Sequence, residues 1–425
     1  MANPLRNRGW TLGMQVLALA ITATLSVQAQ TFKVLHTFHG APNDGAVPLG
    51  ALVRVSNGDL YGTTNTGGSG CTSESCGTAF KMDKNGNEVW MHSFDIKNGG
   101  FPDAGLIRDK AGNLFGTTVV GGDHTKCSLE RCGVVFKLND EGNEVTLYNF
   151  KGEPDGGFPE ARLVRDDEGN VYGTTYSGGL HEEGGTIFKI DPEHNEAVLY
   201  NFCSLTNCSD GLTPYPGLIR DASGNLFGVA ASGGERQGGV AYELDSKGNE
   251  STLYNFGTVD GSGPASVLVE DSSGNLYGTT SFGGNVEQCG GNGCGVVFKL
   301  SPMTGGGWSE TVMYSFCALK NCADGSEPMA GPLVLDAAGN IYGTTYSGGT
   351  TCNTDGCGVV FKLDPAGKET VLHAFTGGND GAFPWAGVTL DRGGNLYGVA
   401  SQAGDTKCYG GDHTFGCGVV FKITP

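Results

Sequence analysis

Positive charge is scarce in this chain. Lysine and arginine number 26 against 45 aspartates and glutamates, a formal net charge of −19. Nucleic acids and anionic membrane surfaces are held by basic patches, so neither is an expected partner. Long apolar runs are almost as scarce. One stretch, Leu12 to Val27, is apolar with few interruptions, and it is short for a bilayer span, which needs about 20 residues. Common catalytic motifs are missing too. There is no Gly-x-Ser-x-Gly elbow, no His-Glu-x-x-His, no lysine-bearing phosphate loop and no EF-hand loop. A site assembled from single residues on several repeats would escape such a search.

The one apolar stretch reads as an export signal. Arg6 and Arg8 precede it, separated by Asn7, so there is no twin-arginine pair. Val27-Gln28-Ala29 then suits small-residue cleavage, which makes residues 1–29 a signal peptide and Gln30 the mature start. Its loss moves the formal charge from −19 to −21, because its charged side chains are the two arginines. The expected location is secreted, periplasmic or cell-surface, with no membrane span after cleavage.

Glycine is what the chain has in excess: 74 of 425 residues, against a usual share of about 7%. The glycines fall at fixed places in a repeat. Gly112-Asn113-Leu114-Phe115-Gly116-Thr117-Thr118 has counterparts beginning at Gly58, Gly169, Gly224, Gly274, Gly339 and Gly394. A self-similar unit of roughly 50 residues points to a propeller or a repeat array. Unit two shows four strand signals: Ala104 to Arg108 (a), Leu114 to Thr118 (b), Val134 to Leu138 (c) and Val145 to Phe150 (d). They are β-branched and aromatic runs bounded by Gly, Asn and Asp. Strands c and d each recur seven times, which predicts an all-β, seven-bladed β-propeller of four-stranded blades over residues 30–425. The phase of the repeat predicts closure. The first strand, Phe32 to Phe38, is of type d and the last, Val419 to Ile423, is of type c, so pairing them completes the seventh blade and leaves no exposed edge.

Fourteen cysteines form seven local pairs: Cys71 with Cys76, Cys127 with Cys132, Cys203 with Cys208, Cys289 with Cys294, Cys317 with Cys322, Cys352 with Cys357 and Cys408 with Cys417. An even count in local pairs on an exported chain predicts disulfides, each closing a small loop for about 2 kcal/mol. Zinc is the rival reading. It needs a second pair nearby, and pairs on separate blades are expected to lie far apart.

Five sub-motifs recur in fixed order: Gly-Asn-Leu-Tyr-Gly-Thr-Thr, Gly-Gly, Gly-Val-Val-Phe-Lys-Leu, Thr-Leu-Tyr-Asn-Phe and Asp-Gly-x-x-Pro-x-Ala-Gly-Leu. Over nearly all of residues 31–425 this pattern resembles the GloVer tandem repeat of bacterial secreted and surface proteins. Proteins with that repeat often carry a C-terminal anchoring domain. Here Pro425 comes two residues after the last strand, and no anchor is expected. The resemblance implies no catalytic residues.

Variable loops on a rigid scaffold are where binding usually resides. All seven cysteine pairs and most length differences fall in the b–c and d–a connections, which share one face of a propeller. Asp-Gly followed by Pro recurs in six d–a crossovers, as at Asp210-Gly211 with Pro214. It reads as a turn with Asp capping backbone amides, against the sharper reading of an acidic ring that holds a cation. Residues present in few units are better site candidates: Asp123, His124, His181, Asp412 and His413 in b–c loops, and Phe158, Tyr215 and Trp385 in crossovers, where exposed rings could stack on sugars. The expectation is a monomeric binding or interaction module for an extracellular ligand, carbohydrate or protein. No cofactor is required, though a divalent cation has candidate ligands. The alternatives are a polysaccharide-directed lyase or hydrolase using the central funnel, and a structural envelope protein.

Overall fold

A computed structural model describes residues 30–424, except 72–74, 124–126, 128–131, 182, 330, 350–351, 353–354, 406 and 409–415. Seven antiparallel sheets follow one another as the blades of a propeller. In blade two the strands are Ile107–Arg108 (a), Leu114–Thr118 (b), Val134–Leu138 (c) and Glu144–Asn149 (d), and each pairs with the next. Strand a is shorter than its sequence suggests, because the residues before it leave the ladder to form the channel wall described below. Blade seven is built from both ends of the ring. Thr31–Thr37 pairs with Val419–Thr424, with Phe32 opposite Ile423 and Thr37 opposite Val419, as the phase of the repeat requires. Among the described residues no helix is long and apolar enough to cross a membrane.

Two complementary contacts explain the repeat. The second Gly of each Gly-Asn-Leu-Tyr-Gly motif lies opposite the aromatic residue of strand c, as Gly116 does Phe136 and Gly228 does Tyr242. A Cβ on Gly116 would sit 2.6 Å from the Phe136 ring, so the ring occupies the space that a side chain would fill. That ring then meets the phenylalanine ending strand d of the preceding blade. Phe94–Phe136, Phe150–Phe188 and Phe256–Phe298 have centroids 4.9, 5.0 and 4.8 Å apart. Phe375–Phe421 and Phe38–Phe80, both at 5.4 Å, carry the series through the closing blade. These rings are fully buried, and burying each favours folding by about 2–3 kcal/mol.

The carboxylates of the repeated turns serve the fold. In the a–b turns, Asp166 accepts from the Asn170 amide at 2.8 Å and from the Tyr172 hydroxyl at 2.9 Å; Asp336 does the same with Asn340 and Tyr342. In the d–a crossovers, Asp210 and Asp324 are fully buried, and each accepts two backbone N–H groups and a strand-d tyrosine hydroxyl. Tyr148–Asp155 and Tyr254–Asp260 repeat the latch. His36–Asp44 and His373–Asp380 replace the tyrosine by histidine, at 3.3 and 3.0 Å. The capping reading of Asp-Gly-x-x-Pro therefore accounts for these acids, and their oxygens are taken up by the protein's own donors.

The cysteines pair as expected, and no described cysteine is free. Cys71 is bonded to Cys76, Cys127 to Cys132, Cys203 to Cys208, Cys289 to Cys294, Cys317 to Cys322, Cys352 to Cys357 and Cys408 to Cys417. Five of these bonds brace b–c loops. In each of the five the second cysteine is buried directly before the glycine that leads into strand c: Cys76, Cys132, Cys294, Cys357 and Cys417. The loop is thereby tied to the core at the point where the strand begins. The other two bonds staple d–a crossovers. There Cys208 and Cys322 sit in a tight turn, and their carbonyls accept from the N–H groups of Gly211 and Gly325, both at 2.9 Å. Two pairs that flank the strands of one blade do meet. The bond between Cys317 and Cys322 follows strand d of blade five and folds back beside the bond between Cys289 and Cys294 in the b–c loop of that blade. All four Sγ atoms lie within 4.8 Å of one another.

Candidate functional site, the mouth of the central channel

Each d–a crossover ends in a proline that locks it to the preceding blade. Pro159 Cδ lies where a Cβ on Gly133 would be, 2.7 Å away, and Gly133 adopts a left-handed backbone at φ +81°. Pro102 meets Gly77 and Pro384 meets Gly358 in the same way. Threonines of strand b hold the segment that follows: Thr63, Thr117 and Thr344 donate to the carbonyls of Ala104, Ala161 and Ala386 at 2.9, 3.2 and 2.9 Å. The chain after each proline is thus fixed as channel wall before it enters strand a. All seven blades contribute to a central cavity there, at the end of the channel nearest the b–c and d–a loops.

The positions just after the seven prolines hold Leu49, Asp103, Glu160, Tyr215, Ala265, Met329 and Trp385, no two alike. Asp103, Glu160, Tyr215 and Trp385 line the cavity, together with Arg162, whose side chain falls on the same side as that of Glu160 two residues before it. Burial pushes the Asp103 carboxyl up to about 6, against the pull of its hydrogen bond from the Asn65 amide. Burial, and then the charge of Asp103 on the neighbouring blade, push Glu160 up to about 7. Tyr215 is raised by burial and by Glu160. Arg162 is enclosed by the channel walls, which lower its pKa, yet its surface is open to the cavity. Among the described residues it makes no ion pair. Tyr176 lies 6.3 Å from the Tyr215 ring, and Tyr346 makes an edge contact with Trp385 at 5.6 Å.

Two carboxyl groups near neutrality, a guanidinium open to the cavity and two aromatic rings can hydrogen-bond hydroxyls, neutralise an anion and stack on a ring-shaped ligand. Of the residues singled out from sequence, Tyr215 and Trp385 belong to this wall, half-buried rather than exposed. Phe158 lies in a separate cleft with Tyr176, Glu183 and Thr213. His181 is exposed on its loop, and the backbone N–H of Asp123 donates to Asn149 at 2.8 Å; neither lines the cavity. His124, Asp412 and His413 lie outside the described residues. The disulfide cysteines are also absent from the wall. Cys76, Cys132, Cys208, Cys357 and Cys417, like their partners, brace the loops around the cavity and do not face it. Sequence reasoning missed Asp103, Glu160 and Arg162. Their signal was available as the variability of the residue after each proline.

No curated protein matches the chain. Among solved structures, a protein from Bacteroides fragilis described as a candidate 6-phosphogluconolactonase is 15% identical, with a TM-score of 0.50 over 82% of this chain and 89% of its own. The extracellular domain of a candidate one-component system from B. thetaiotaomicron is 10% identical, with a TM-score of 0.50 over 92% of this chain and 40% of its own. At such identities the likeness is one of fold. The family model described as the Gloeobacter/Verrucomicrobia repeat matches residues 72–288 and 281–425, and the chain belongs to that family.

Proposed function

We propose that this protein is an exported binding module whose ligand enters the mouth of the central channel and is a small, hydroxyl-rich molecule such as the end of a saccharide. The observation that carries the reading is that five of the seven residues after the prolines, Leu49, Asp103, Glu160, Tyr215 and Trp385, put unlike side chains on one cavity, in a repeat whose strands and turns scarcely vary. Packing asks the same of every blade, so unlike side chains converging on one cavity answer to something else. Seven disulfides and the apolar segment within residues 1–29 support export. A glycan array on residues 30–425, followed by calorimetry on the hits, tests the reading. Trp385→Ala and Arg162→Ala should each weaken binding at least tenfold without unfolding the protein. Hits that bind both variants as they bind wild type would refute it, and so would an array with no hits, which favours a structural envelope role.

A second reading rests on Asp103 and Glu160. A carboxyl held near pH 7 beside another acid can serve as general acid or base, which supports a hydrolase or lyase acting on saccharides in the same cavity. Turnover of a bound glycan that disappears in Glu160→Gln, while binding persists, would select it over simple binding.

A further inference from the structure

We propose that Cys289, Cys294, Cys317 and Cys322 form a redox-gated metal site, which takes one zinc-like divalent cation when its two disulfides are reduced and expels it when they re-form. Among the described residues this is the one place where the disulfide of a b–c loop meets the disulfide of a d–a crossover. The four Sγ atoms all lie within 4.8 Å of one another. A tetrathiolate zinc centre has Zn–S bonds of about 2.3 Å, hence sulfur–sulfur edges of about 3.8 Å. The cross-pair distances therefore need to close by no more than about 1 Å. The within-pair distances need to open by nearly 2 Å once the covalent bond, about 2.05 Å long, is gone.

The surroundings permit that movement. A Cβ added at Gly290 or Gly291, between Cys289 and Cys294, would meet nothing within 4 Å, so the loop has room to shift. Cys294 and Cys317 are buried against the Phe316 core, while Cys289 and Cys322 are partly exposed. Reductant and metal thus have access from outside, and the inner two sulfurs give the site a fixed floor. The other five disulfides have no second pair beside them among the described residues, so reduction there leaves at most two thiolates.

The chemistry balances. A dithiol reductant gives each disulfide two electrons and two protons and leaves as its own disulfide. Two such steps yield four thiols. The cation then displaces four protons, giving a centre with net charge −2. A disulfide oxidant reverses the sequence: it accepts two electrons per pair, and the re-formed S–S bonds no longer offer thiolates to the metal.

The test uses residues 30–425 reduced anaerobically with a phosphine; water supplies oxygen to phosphorus and hydrogen to the sulfurs. Cobalt(II) alone is then titrated, with near-UV circular dichroism reporting the fold. The proposal expects the visible bands of tetrahedral, tetrathiolate cobalt at one equivalent. These should be lost in Cys294→Ser and in Cys317→Ser, retained in the double variant Cys71→Ser with Cys76→Ser, and bleached on reoxidation with release of the metal. Alkylation with mass spectrometry provides a second reading in wild type: bound zinc should protect these four thiols at least tenfold over the other ten. Bands that survive Cys317→Ser, bands that appear only after the fold is lost, or protection spread evenly over all fourteen cysteines would each overturn the proposal.

Discussion

Replacing Glu196, Glu250, Glu310 and Glu369 together by Gln should make this protein more stable at pH 8 and flatten its stability between pH 5 and pH 8. These glutamates lie at the start of strand d in blades three, four and six and two residues into it in blade five. Each faces the latch aspartate of the preceding crossover: Asp155, Asp210, Asp260 and Asp324 respectively. Burial first, and that neighbouring charge second, raise all four carboxyls from 4.5 to about 7. One Oε1 on Glu196, Glu310 and Glu369 is buried with no hydrogen-bond partner. A carboxyl raised on folding is held by its proton. Its contribution is full below the unfolded pKa and is lost as pH rises through the folded value, so stability falls from about pH 4.5 to about pH 7.

A shift of about 2.5 units corresponds to roughly 3 kcal/mol at 1.36 kcal/mol per unit. The side chains are half-exposed and water screens them, so about 1 kcal/mol each is the appropriate magnitude, or about 4 kcal/mol for the set. With an unfolding entropy of about 2 cal/mol/K per residue, that is about 5 °C in a chain of this length. Between pH 5 and pH 8 the melting temperature of wild type should therefore fall about 5 °C more than that of the quadruple variant. Differential scanning calorimetry measures it. Asp103 and Glu160 titrate in the same window but are present in both proteins, and their effect cancels. The aspartates lowered by their turns, such as Asp83 at about 2 and Asp166, lose their contribution only as pH falls below 3.8, outside the window. Parallel melting curves, or a wild type that gains stability toward pH 8 as fast as the variant, would refute the reasoning.

Deleting Gln30 to His39 removes the strand opposite Val419–Thr424 and bares its edge; aggregation or a large fall in melting temperature is expected by light scattering and calorimetry. Gly133→Ala should destabilise by more than about 2 kcal/mol in denaturant titration, because its Cβ would lie 2.2 Å from the Thr118 carbonyl in addition to the left-handed backbone. Gly248→Ala, with φ +89° but nothing within 4 Å of the new Cβ, should lose only the backbone part, about 1 kcal/mol. Asp103→Asn with Glu160→Gln should raise the melting temperature at pH 8 while weakening any channel ligand, a trade between stability and binding that calorimetry reads on both sides.

The fold was legible because its rules repeat. A single Gly-Asn-Leu-Tyr-Gly motif followed by a single Val-Val-Phe run says little, but seven such pairs in the same order, as Gly116 with Phe136, specify a strand pair across loops of different length, and the phase of the first and last strands specifies the ring. The cysteine pairing was legible for a similar reason: each partner lies a few residues away, as Cys132 does from Cys127 and Cys357 from Cys352. The meeting of the Cys289–Cys294 bond with the Cys317–Cys322 bond was not legible, since it depends on how far a crossover folds back over the loop beside it. The channel was only partly legible. Histidines and carboxylates in long loops, such as His181 and Asp123, stand out in sequence by their side-chain chemistry, yet neither of these two lines the cavity. Asp103 and Glu160 are less conspicuous in sequence, and what makes them notable is a position facing a shared cavity, which follows from the proline lock and the turn into strand a.

The same perturbation, a carboxyl raised by burial and by a neighbouring acid, occurs in two parts of this molecule and means different things in each. On the outer side of the blades it recurs in blades three to six, as in Glu196 with Asp155 and Glu310 with Asp260, each time beside a strand-d tyrosine that bonds the aspartate. A feature that four successive blades renew is answered by what those blades share, which is packing against a neighbour. In the channel the pair Asp103 and Glu160 occurs once. The corresponding positions of the remaining blades hold Leu49, Tyr215, Ala265, Met329 and Trp385. No packing rule common to seven blades calls for acids on two adjacent blades, an arginine on one of them and aromatic rings on two others. In a repeat protein the symmetry is itself the control experiment. Perturbed groups that obey it belong to the scaffold, and the perturbed pair that breaks it, at the cavity where all seven blades meet, is where we propose that a ligand is recognised.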